Sequence, residues 1–219
     1  MSKDWNDFEE EIDHELRECD KLGKRGHRVD EKRGYSDGIR NYSQISQHLA
    51  NSSVKSCDYF LINSNKGHFY CLEFSDLLEQ KKLSPKIPFK DFKLAIRGYL
   101  KLEDTPRSAI KKITKITDPD SIIKAELIDK IRDTDLLIKY IYDDSFSRIT
   151  NLPERDLEKY FFIVYKGDGS SDSIRIFDDM LSSMKISSLN KTLCSLNNSK
   201  IKPENIFFLE LEEFKSRYC

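Results

Sequence analysis

The sequence predicts an α/β fold: a central mixed sheet of about four to five strands flanked by helices, in a single domain with a mainly helical insertion over about residues 77–145. Three observations lead there. Residues 56–82, SCDYFLINSNKGHFYCLEFSDLLEQKK, read as strand, tight turn, strand and the start of a helix. The last third of the chain returns to near-continuous apolar runs, YFFIVY at 160–165 and IFFLEL at 206–211. Between them, apolar residues recur at helical spacing. Strands interleaved with helices define the α/β class.

Taken in order, residues 4–19 predict a helix. Asp4 is a cap, Asp7 sits three residues on, and Trp5, Phe8, Ile12, Leu16 and Cys19 form one apolar stripe. Acidic residues crowd the rest of that helix. Residues 20–38 form a flexible loop or irregular strand and are the most basic local segment. Its Lys24, Arg25 and Arg28 are candidates for contacting phosphates. Residues 39–51 predict a short helix with Ile39, Tyr42, Ile45 and Leu49 inward.

The hairpin rests on chemistry specific to each part. Tyr59 to Ile62 and Phe69 to Leu72 are aromatic or branched, with Cys71 between them, as strands prefer. Ser64, Asn65, Lys66 and Gly67 supply the turn, because Asn and Gly tolerate the positive φ of a tight reversal. Beyond it, Leu77 to Lys82 starts a helix that Pro85 and Pro88 interrupt. Further helices are expected over 90–102, from Thr105-Pro106 onward, and over 121–142, where Ile123, Leu127, Ile131, Leu136, Ile138 and Ile141 are the apolar members. In the last third, 160–165 is a strand buried on both faces. Residues 173–177 predict a short strand, 178–184 and 189–196 helices, 206–211 a final strand and 212–218 a helical tail.

Composition excludes some roles. The chain has 219 residues, 38% of them hydrophobic, with 37 basic side chains against 38 acidic. That balance argues against coating nucleic acid by bulk electrostatics, though not against an enzyme with a local basic groove. No window approaches the ~20 apolar residues of a membrane span. The acidic N-terminal stretch has no apolar core of the signal-peptide kind. The five cysteines include no CxxC pair, which argues against zinc, and the odd count fits a reducing cytoplasm. Cys57 and Cys71 can face each other across the hairpin, and they are expected to be small core residues.

The candidate chemistry lies at the open end of the hairpin. Folding back at the turn brings Asp58 opposite the neighbourhood of Glu73, and both side chains can point the same way. Glu73 stands between Leu72 and Phe74, and a charge inside an apolar strand is costly unless it is paired or metal-bound. Two such carboxylates suit Mg2+ or Mn2+, which prefer oxygen ligands. Glu11 and Glu15, four apart on the expected first helix, are candidates to reach a shared site. The structural alternatives are that Asp58 bonds a turn, that Glu73 pairs with Lys55 or Lys66, and that the acidic face of residues 4–19 is merely solvated. His68, just after the turn, is read as a surface residue, and His14, nearer the proposed site on the first helix, is not taken as a ligand.

This arrangement resembles the PD-(D/E)xK nuclease superfamily, in which a glutamate-bearing helix is followed by a hairpin carrying an aspartate, an acidic-x-Lys triplet and a helix. Cys57-Asp58 stands where the family has Pro-Asp, and Glu73-Phe74-Ser75 where it has Glu-x-Lys. The resemblance covers about residues 4–105. It implies a restriction-endonuclease-like core and a metal-dependent endonuclease acting on DNA or RNA, of a kind used in restriction or phage defence. Ser75 replaces the triplet lysine. Members of the superfamily can supply that lysine from the following helix, and Lys82 is taken as the catalytic lysine, with Lys81, Lys90 and Lys93 as alternatives. The competing expectation is a catalytically inactive relative serving as a protein-binding or immunity subunit.

Overall fold

The computed structural model describes residues 2–14, 16, 21–30, 38–42, 55–77, 119–143, 147–167, 179, 182 and 200–219. They form β1 (Lys3–Asp4), a 3-10 turn (Trp5–Phe8), β2 (Glu9–Glu11), β3 (Arg25–Arg28), α1 (Ile39–Tyr42), β4 (Tyr59–Asn63), a second 3-10 turn (Ser64–Lys66) and β5 (His68–Phe74). There follow α2 (Pro119–Ile141), β6 (Ile149–Thr150), β7 (Glu158–Tyr165), β8 (Ile201–Glu210) and α3 (Leu211–Tyr218). The fold is α/β with a mixed sheet. Among the described residues the main sheet has six strands, in the order β2-β3-β4-β5-β7-β8, and β1 pairs with β6 in a separate two-stranded sheet. The chain divides into two compact units, one of residues Met1–Asp76 with Ile128–Cys219 and one of Leu77–Leu127. Among the described residues, no helix is long and apolar enough to cross a membrane.

Strands β2, β3, β4 and β5 pair with one another antiparallel in succession, while β7 lies parallel to β5 and β8 parallel to β7. The β4–β5 hairpin pairs Tyr59 with Leu72 and Asn63 with His68, so its register is the one the turn residues predict. Gly67 takes φ 67°, the left-handed conformation that the reversal needs. β8 holds Pro203 at a register shift opposite Lys159 to Phe161, on the outermost strand, where a missing N–H breaks no ladder.

Alternation along the strands makes two apolar faces. One carries Tyr59, Leu61, Tyr70, Leu72, Phe162, Val164 and Leu209, and α3 seals it with Leu211 and Phe214. The other carries Phe60 and Phe69, against which Trp5 packs at ring distances of 6.1 and 6.4 Å. The final strand and helical tail fall where the sequence places them, apart from the strand's earlier start.

The first element differs from expectation. Residues 4–14 form a 3-10 turn and an edge strand instead of an α-helix, which adds a strand to the sheet. The capping signal is real: Asp4 accepts the Asn6 N–H at 2.9 Å, and Asp7 accepts that of Asp4 at 3.0 Å. It caps only one turn. The acidic run Glu9–Glu11 then lies antiparallel to the basic strand Arg25–Arg28, and cross-strand charge pairing overrides helix propensity. The apolar stripe stays buried regardless, with Trp5, Phe8, Ile12 and Leu16 each at most 5% exposed. The predicted helices within 78–118, and all of the 173–196 elements except Asp179 and Ser182, lie outside the described residues.

Candidate functional site

Asp58 immediately precedes β4, and its N–H donates to the carbonyl of Leu72, the partner of Tyr59, at 2.9 Å. The β4–β5 pairing runs from Tyr59–Leu72 to Asn63–His68, and Asp58 lies one residue beyond it, at the end of the hairpin where β5 carries Glu73. Both acids lie near one lysine. Lys130, on α2, forms an ion pair with Glu73 and lies close enough to Asp58 to favour its ionised form.

The two acids differ in environment. Glu73 is 1% exposed, whereas Asp58 is half-buried. Burial of the Asp58 carboxyl pushes its pKa up to about 6, against the opposing pull of Lys130 and of the Phe74 N–H. That N–H donates to Asp58 Oδ2 at 2.7 Å. Asp30 adds a smaller upward push and Arg28 a smaller downward one. Asp30 itself pairs with Arg40 at 2.6 Å.

Helix α2 is fixed here by polar side chains on consecutive residues. Asp133 accepts the Lys55 N–H at 3.0 Å, and Thr134 Oγ1 accepts the Cys57 N–H at 3.0 Å. Asp135 accepts the N–H groups of Lys200 and Ile201 at 2.6 and 2.9 Å. The helix thereby caps the backbone entering β4 and β8, satisfying donors that the sheet leaves over. One turn earlier, the same helix presents Lys130 to the acids.

The other residues singled out from the sequence fall as follows. Glu11 pairs with Lys21 at 2.9 Å on the edge strand β2, and Glu15 and Lys82 lie outside the described residues, as do Lys81, Lys90 and Lys93. Arg25 pairs with Glu9 at 3.3 Å. Arg28 engages Glu10 and the Tyr59 hydroxyl, with its guanidinium 4.7 Å above the Tyr59 ring. Lys24 lines a cavity at the other end of the hairpin. Glu73 pairs with neither Lys55 nor Lys66, because Lys66 sits in the turn and Lys130 from α2 reaches it instead. Ser75 is 7% exposed, and its N–H extends the ladder to the Val164 carbonyl at 2.9 Å. His14 stacks on Phe74 at 5.2 Å, and His68 Nδ1 lies 3.0 Å from the Tyr70 hydroxyl. Cys57 and Cys71 are free and buried. Burial, with Cys71 beside it, pushes the Cys57 thiol well up.

Lys130 is the residue the sequence reading missed. Its signal is present: with Leu127, Ile131, Thr134, Ile138 and Ile141 it occupies the helical stripe that periodicity sends inward. A lysine in such a slot needs a partner.

Among the described residues, no group of three or more His, Cys, Asp or Glu side chains is gathered for a metal. The donor set fits a weaker kind of site. Mg2+ is commonly held by one or two carboxylates, with water and substrate phosphate completing its shell. Asp58, with its raised proton affinity, is a carboxylate that a nearby cation would stabilise. No protein-family model, no curated protein and no solved structure matches this chain.

Proposed function

We propose that this protein is a divalent-metal-dependent nuclease of the PD-(D/E)xK kind, hydrolysing phosphodiester bonds in DNA or RNA on a restriction-endonuclease-like core. The observation that carries the reading is one ammonium near two acids of the hairpin: Lys130, from the helix that follows in the described chain, pairs with Glu73 and favours the ionised form of Asp58. Lys130 takes the part that Ser75 leaves open. Asp58 and Glu73 would hold Mg2+ or Mn2+, which when bound supplies a more acidic water and charge stabilisation at a phosphoryl oxygen. Lys130 orients the attacking water or neutralises charge building on the phosphate.

The test is cleavage of plasmid, single-stranded DNA and RNA with Mg2+ or Mn2+ and with chelator. The expected result is metal-dependent cleavage that falls at least ~100-fold in Asp58→Asn and Lys130→Met, with circular dichroism unchanged. No cleavage of any substrate with either metal would overturn it.

A second reading has its own support. Glu73 is sealed from solvent and already ion-paired, as in a structural lock between α2 and the sheet. On that reading the chain is a catalytically silent domain that binds a protein partner, such as an immunity subunit. It predicts no Mg2+ or Mn2+ binding by calorimetry, and a stoichiometric complex in pull-down that survives Asp58→Asn.

A further inference from the structure

A cavity of about 400 Å3 opens at the turn end of the β4–β5 hairpin, between Lys24, the turn and the last turn of α3. It lies a strand's length from Asp58 and on the other face of the sheet, the face of Leu61 and Tyr70. Among the described residues three cations line it, Lys24, Lys66 and Arg217, and no acidic residue does. In a chain with 37 basic and 38 acidic side chains, that is a marked local imbalance. Arg217 is tied to Glu213 at 2.7 Å, but among the described residues Lys24 and Lys66 have no ion-pair partner. Around the cations stand Tyr70, Tyr218 and Asn63, with the two tyrosine rings 5.5 Å apart at a steep angle.

Three like charges around one concavity repel, and the repulsion is relieved when an anion enters. Lysine binds phosphate as a point charge and arginine as a planar fork. The phenols and amide supply further neutral donors and flat surface. The volume is within the range of small-ligand sites. We infer that this cavity binds a small phosphate-bearing ligand, of the size of a mononucleotide, at a site independent of Asp58, Glu73 and Lys130.

The experiment titrates the full chain, by calorimetry at low salt, with adenosine 5′-monophosphate, inorganic phosphate and adenosine separately. Saturable one-site binding of the monophosphate or of inorganic phosphate, and none of adenosine, is expected. A tighter monophosphate than phosphate assigns part of the recognition to the tyrosines; equal affinities assign it to the cations alone. Lys24→Gln with Lys66→Gln, both away from the core, should weaken binding at least tenfold at unchanged melting temperature. Arg217→Gln provides a second, independent loss. Asp58→Asn should leave the affinity unchanged, which separates this site from the proposed nuclease centre. The inference is overturned if neither phosphate compound binds, if adenosine binds as tightly, or if the double variant binds like the parent.

Discussion

Glu73 and Lys130 form one ion pair but do not share one environment. The glutamate side chain is 1% exposed and the lysine side chain 22%. Removing the lysine takes the counter-charge from a carboxylate almost sealed from water, while removing the glutamate leaves an ammonium on a flexible stem that can turn outward. Breaking a buried pair costs about 3–5 kcal/mol, so Lys130→Met should cost more than Glu73→Gln. Urea titrations at pH 7 check the order, and equal losses would contradict it. Asp58 adds a pH dependence. Its folded pKa is near 6 and its usual value 3.8, so between those values the folded state holds more protons than the unfolded state. The stability it contributes is full below the lower value and is lost as pH rises through 6. A shift of this size corresponds to about 3 kcal/mol. In chelator, Asp58→Asn should therefore gain on the parent by up to that amount between pH 4 and pH 7. His27 acts in the opposite sense: burial against Trp5 lowers its pKa, so its contribution is present above its unfolded pKa of about 6.5 and is lost as pH falls.

Helix α2 shows what the sequence makes legible in an element and what it hides. Periodicity alone places Ile123, Leu127, Ile131, Leu136, Ile138 and Ile141 inward, and all are buried except Leu136, which is half-buried while its neighbour Leu137 is fully buried. It is silent about Asp133, Thr134 and Asp135, which are as buried as their apolar neighbours because their partners are backbone donors up to 78 residues away. Asp is a poor helix former, and consecutive polar residues inside an inward stripe are the trace of such capping. The β4–β5 hairpin was legible because strand preference, turn chemistry and register are all local and agree. The N-terminal segment was not, because Glu9–Glu11 is a strand only by virtue of Arg25–Arg28. The capping residues carry a prediction at this scale. Asp135→Ala leaves the Lys200 and Ile201 donors unanswered and should cost about 3 kcal/mol or more. Thr134→Val, close in shape, leaves one donor and should cost roughly 1–3 kcal/mol. Hydrogen exchange should then quicken at Lys200 and Ile201 in the first variant and at Cys57 in the second, and exchange at Tyr70 to Leu72 should report only the global loss.

For the whole molecule, the question is what the Asp58–Glu73–Lys130 cluster is for. A net charge of −1 gives no bulk attraction for nucleic acid, so a nuclease built on this chain must hold its substrate through local contacts and through the metal itself. A purely structural cluster has no use for the metal, since Lys130 already supplies the positive charge. Linkage separates the two. A cation that binds only the folded chain stabilises it by about 2.7 kcal/mol at a hundredfold excess over its Kd. If the acids are ligands, Mg2+ or Mn2+ should raise the melting temperature by several degrees, by more at pH 7 than at pH 5 because protonated Asp58 competes with the cation. Asp58→Asn should abolish that increment while raising the metal-free melting temperature at pH 7, an opposed pair of effects that a general salt response would not give. Ca2+, which takes more oxygen ligands than these two acids offer, serves as the control and should stabilise less. A melting temperature indifferent to all three ions at both pH values would leave the cluster as a lock between helix and sheet.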